Sequence, residues 1–147
     1  MSCIRFNTPA QREAMRGAAP LQPEDAAALH LAPPVTPSKI ARLRLLAESP
    51  SVGIRQSVAG NRHAPADLLE TLAADRDAAV RGEVARNETT PQPLLQGLAG
   101  DPDARVRCWA VLNPGLPEAD VARLTEDRDA QVRRLAGWRR DVALQPS

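Results

Sequence analysis

Residues 101–114 read Asp-Pro-Asp-Ala-Arg-Val-Arg-Cys-Trp-Ala-Val-Leu-Asn-Pro. The stretch opens on acidic residues suited to capping a helix and closes on a turn signal, with an apolar stripe at Val106, Ala110 and Val111 between them. It is not alone. Shifted by 26 residues in either direction, the chain matches itself. Arg55, Arg81, Arg107 and Arg133 keep that step, and so do Asn61, Asn87 and Asn113. Pro65, Pro91 and Pro117 keep it, as do Asp75, Asp101 and Asp127. Ile54, Val80, Val106 and Val132 precede the arginines, and Leu46, Leu72, Leu98 and Leu124 recur near the unit ends. No insertion is needed from about Ser49 to Trp138.

Each unit reads as two short helices. The first is expected to open at Ser51, Asp77, Asp103 or Asp129, whose side-chain oxygens suit an N-cap, and to stop near the Asn in a left-handed turn. The second is expected to start with the proline at its first helical position, where no N–H is needed. Its inward residues are Leu69 and Leu72, then Leu95 and Leu98, then Val121 and Leu124. Their i, i+3 spacing also suits a 3₁₀ segment, and Pro93 and Gly97 make a poor regular α-helix. One unit cannot bury its stripe alone, whereas stacked units can. The expected fold is therefore all-α, a solenoid of short helix pairs.

The motif at residues 101–114, with Ala-Arg-Asn-Glu-Thr-Thr-Pro-x-x-Leu-Leu-x-x-Leu at 85–98, resembles the leucine-rich repeat variant family of bacteria. HEAT-like repeats share the Asp-x-x-x-Val-Arg part but are usually longer. The resemblance covers roughly residues 37–140. It implies alternating α and 3₁₀ helices wound into a right-handed superhelix. The family's founding type also carries an iron–sulfur module with a cysteine cluster. Here only Cys3 lies near the start, so no cluster and no other cofactor is expected.

The frame divides the chain. Residues 1–36 are an irregular, proline-broken extension, and 37–48 a capping half-repeat with Thr36 as its N-cap. Repeats follow at 49–74, 75–100 and 101–126, then a truncated repeat at 127–147. The next proline would fall at position 143, which is Ala143. Trp138, Val142 and Leu144 are expected to fold back as a cap on that end.

Composition narrows the function. Of 147 residues, 43% are apolar and 25% charged, ordinary values for a folded domain. Aromatics are 2%, namely Phe6, Trp109 and Trp138, which excludes RNA readers that stack bases on aromatic platforms. A net charge of +1 gives no general pull toward DNA or anionic lipid. No apolar run is long enough to span a bilayer, and Met1–Asn7 lacks a secretory pattern, so the expected place is the cytoplasm. The 14 prolines punctuate the units, and thin Leu/Val/Ala layers leave rings no standard place.

Catalysis finds little footing. His30 and His63 do not recur, Cys108 reads as a half-buried thiol, and no phosphate loop, His-x-x-x-His or Cys-x-x-Cys appears. No metal site is expected. The arginine ladder, Arg55, Arg81, Arg107 and Arg133, reads either as phosphate clamps or as ion pairs. Its partners are Asp77, Asp103 and Asp129, four residues before Arg81, Arg107 and Arg133, or else Asp75, Asp101 and Asp127 of a neighbouring unit. Strict recurrence with a matching acid favours structure.

Positions that vary within the frame carry more functional signal, because the scaffold does not dictate them. They read Ser57, Glu83, Trp109, Leu135, then Gly60, Arg86, Leu112, Trp138, then Gln56, Gly82, Cys108, Arg134. Trp109, Leu112, Leu135 and Trp138 are expected to form one patch, with Arg134, Arg139 and Arg140 on its rim and Arg86 nearby. Tryptophan with arginine is a typical interface anchor. The expected function is a non-enzymatic scaffold for a protein or peptide. The alternatives are nucleic-acid binding through an arginine-lined face and homodimerisation through the apolar patch.

Overall fold

The computed structural model describes residues 35–143, with side chains described to residue 142. The expectations for the extension up to residue 34 and for Leu144 lie outside these residues. The described residues form eight helices and no strand. They are α1 Pro37–Ala47, α2 Val52–Ala59, α3 Ala66–Ala73, α4 Ala78–Arg86, α5 Gln92–Leu98, α6 Ala104–Leu112, α7 Glu118–Leu124 and α8 Ala130–Ala143.

The even-numbered helices form one row: α2 packs on α4, α4 on α6, and α6 on α8. Behind them α1 packs on α3 and α3 on α5, while α7 packs on α8. Thr36 caps α1 by accepting a hydrogen bond from the Lys39 N–H. Asp77, Asp103 and Asp129 cap α4, α6 and α8 by accepting from the N–H groups of Ala79, Arg105 and Gln131. Ser51 holds the same backbone position before α2, but its side chain makes no capping bond.

The core is the repeated stripe. Val80, Val84, Ala85, Val106, Ala110, Val111 and Val132 are fully buried from the first helices, and Leu69, Leu72, Leu95, Leu98, Val121 and Leu124 are buried from the second. Each Val or Leu removed from water in this way contributes roughly 1.5–3 kcal/mol.

Four local expectations are corrected. The second helices are α, not 3₁₀. The carbonyls of Pro65, Pro91 and Pro117 accept both an i+3 and an i+4 N–H, so the i+4 ladder is established from the first turn. Those prolines stand one place earlier than expected, as N-cap residues in extended backbone. Asn87 and Asn113 are not left-handed. Both are extended, and among the described residues no φ is positive. Their side chains close the turn instead: Asn87 Oδ1 accepts from the Thr89 N–H, and Asn113 Oδ1 from the Gly115 N–H. Finally, α8 does not fold back. It runs unbroken to Ala143, and Trp138 and Val142 stay exposed.

Candidate functional site

The polar ties between layers decide which side chains are free. Arg55, Arg81 and Arg107 each reach forward to an aspartate 20 residues later. Each does so with two parallel bonds. Nε donates to one carboxylate oxygen at 2.7, 2.7 and 2.8 Å, and Nη2 donates to the other at 3.1, 2.9 and 2.8 Å. Nη1 donates back to the carbonyls of Ser49, Asp75 and Asp101 in turn. The acids are therefore Asp75, Asp101 and Asp127. Asp77, Asp103 and Asp129 are not ladder partners, because their carboxylates are engaged in capping the helices. The guanidinium beside each holds the Asp75 and Asp127 carboxyls below their ordinary range. Three of the four ladder arginines are thus occupied by carboxylates. The nucleic-acid reading loses its main residues.

A second ladder runs backward, and it was not read from the sequence as such. Asn87 Nδ2 donates to the carbonyls of Ala59 and Asn61, and Asn113 Nδ2 to those of Ala85 and Asn87. In the last layer Arg139 takes this place. Its Nη1 donates to Val111 O and Asn113 O, both at 2.6 Å, and its Nη2 to Leu116 O at 2.8 Å. Arg139 is therefore a tie between layers and not a free rim residue. The signal was in the frame, since Arg139 stands 26 residues after Asn113.

A groove of about 480 Å³ lies between α6 and α8. Cys108, Trp109, Leu112 and Leu135 line it, with Arg105, Asp129 and Gln131 at its polar edge. Trp109 is 39% exposed and Leu112 41%. Trp109 also lies against α4, where the missing side chain of Gly82 leaves it space: a Cβ there would stand 3.3 Å from Trp109 Cδ1. The Arg86 guanidinium covers the ring, 5.2 Å from its centroid, in a cation–π contact.

Of the expected patch, Trp109, Leu112 and Leu135 come together, with Arg86 over the tryptophan. Trp138 and Arg134 are exposed but do not line the groove. They hold on α8 the register that Leu112 and Cys108 hold on α6, one layer further on. Arg105 and Gln131 contribute to the groove without having been read as site residues.

Burial pushes the Cys108 thiol up, away from the thiolate form. Burial, with Lys39 and Arg62 nearby, lowers the pKa of His63. Among the described residues no group of His, Cys, Asp and Glu is placed to hold a metal ion, and no helix is long and apolar enough to cross a membrane. Comparison with protein-family models, curated proteins and solved structures gives no match for the chain.

Proposed function

We propose that the chain is a right-handed α-solenoid of 26-residue units, akin to the leucine-rich repeat variant family, and that it is a non-enzymatic scaffold for a protein or peptide. Helix starts at Val52, Ala78, Ala104 and Ala130, and at Ala66, Gln92 and Glu118, support the repeat. Its α-helical second members depart from the alternation with 3₁₀ helices that the family resemblance implies.

One observation carries the binding reading: a half-exposed Trp109, held flat by Gly82 and Arg86, opens onto an apolar groove with Leu112 and Leu135. A tryptophan fixed in this way loses little further freedom on binding, and a guanidinium beside it can bond a partner's backbone or carboxylate. Rigid neighbouring helices present the groove in one geometry.

Affinity capture from the native host tests this. Wild-type protein is compared with a Trp109→Ala variant of equal thermal stability, which leaves Trp138 in place. A partner retained by the first and lost by the second is the expected result. Identical capture by both sinks the reading. Loss of the partner together with a halved mass in solution assigns the patch to a second copy instead.

A further inference from the structure

We infer that the outer face of α8 is a docking surface for a partner polypeptide that carries a carboxylate just ahead of a helix, with Arg133 as its clamp. This face is separate from the groove between α6 and α8, and it rests on a different observation.

The observation is a fork with one arm unused. Arg133 Nη1 donates to the carbonyls of Asp127 and Arg128, at 2.7 and 3.1 Å. That is how Arg55 and Arg107 are braced by the chain before their own helices. In those two, and in Arg81, Nε and Nη2 then grip the next layer's aspartate. Among the described residues no carboxylate meets Nε or Nη2 of Arg133. The Arg107 and Asp127 side chains are 4% and 8% exposed, whereas Arg133 is open to solvent.

The surroundings agree. Val111 is fully buried, but its counterpart on α8 is Gly137, and a Cβ built there meets nothing within 4 Å. Half-buried Cys108 gives way to exposed Arg134, and Leu112 to Trp138, which is 58% exposed. This is the face on which each earlier helix receives its successor. Among the described residues no helix follows α8 by the same path. α4 and α6 end at Asn87 and Asn113, while α8 continues through Arg139 to Ala143 without turning back.

Three internal precedents define the occupant. In each, the gripped aspartate lies two residues before the N-cap of the next first helix, or of α8. Its Oδ1 also accepts that N-cap's N–H at 2.8 Å. The partner therefore presents an Asp two residues before a helix N-cap, and that helix lies along α8 over Gly137 and Trp138. A second copy stacked end-on in the same register does not satisfy this, because Ser49 stands where Asp75, Asp101 and Asp127 stand. A hydroxyl cannot fill a bidentate guanidinium fork.

A peptide copying residues 122–140 is the probe, because its aspartate and helix already fit Arg107 and α6. It is titrated into isotope-labelled full-length protein while the Gly137 amide and the Trp138 indole N–H signals are followed. The expected result is saturable shifts at both. Affinity drops about tenfold or more when the peptide carries Asp127→Asn, or when the protein carries Arg133→Gln. Arg133→Lys recovers only part of it. The peptide substitution leaves the protein untouched, so a folding defect cannot mimic the loss. Absence of saturable shifts, equal affinity for the Asn peptide, or shifts confined to Trp109 overturns the assignment. So does a concentration-dependent dimer that Arg133→Gln dissolves, which gives the face to a second copy.

Discussion

The layers carrying α6 and α8 are written in one frame and fill it differently. In the first, Arg107 is locked by Asp127, Asn113 ties back to Ala85 and Asn87, and Val111 is sealed. In the second, Arg133 is open, Arg139 replaces the asparagine, and Gly137 and Trp138 face solvent. The same register is structural where a further layer covers it and open to solvent where, among the described residues, none does. A repeat position therefore has no fixed role; its neighbour assigns one.

The most direct way to break this comparison is to remove both arginines separately. Arg107→Ala strands Asp127 and is expected to cost about 3–5 kcal/mol in urea unfolding, against less than about 1 kcal/mol for Arg133→Ala. Equal losses would mean that the two layers are not different after all. Next come the backward ties. Asn113→Ala leaves the buried Ala85 carbonyl without its donor and should cost about 2 kcal/mol, and Arg139→Ala roughly 1–2 kcal/mol, because its carbonyls lie nearer water. If Arg139→Ala is silent in thermal melts, its bonds are not ties.

Acid sharpens the comparison further. Asp75 and Asp127 have folded pKa values below their unfolded ones, so their stabilisation is complete above the ordinary carboxylate range. It is lost as pH falls below that range toward the folded values. Asp127→Asn should flatten this part of the stability-against-pH curve, and Arg133→Gln should leave its slope unchanged. The smallest effect is expected at Gly82→Ala. Better helix propensity is worth about 1 kcal/mol, and a 3.3 Å approach to Trp109 opposes it. Stability should change by less than about 1 kcal/mol while Trp109 fluorescence shifts. An unchanged spectrum means that the ring does not rest on Gly82.

The first helices, their aspartate caps and the apolar stripes were legible because they follow from recurrence. Val80, Val106 and Val132 share a period, and buried stripes share it too. The arginine partners were half legible. Asp77 and Asp75 both fit in sequence, and only the capping demand of α4 decides between them. The asparagine conformation was not legible, because a helix-ending Asn commonly turns left-handed, whereas buried and half-buried carbonyls of the previous layer offer its amide a partner. Trp138 is grouped with Trp109 in sequence because both stand at positions that vary within the frame and turn large and apolar toward the C-terminal units. Their registers differ, so they point into different spaces.

The two ladders also give the molecule a direction. Guanidinium groups reach forward, and side-chain N–H groups reach back to carbonyls, amides from Asn87 and Asn113 and a guanidinium from Arg139, so the α2–α4, α4–α6 and α6–α8 junctions are each held by two opposed hooks. Each hook spans a single junction, so a defect at one is felt by the two layers that share it and passes no further through these bonds. Among the described residues, Arg133 carries such a forward hook with no carboxylate for it to hold.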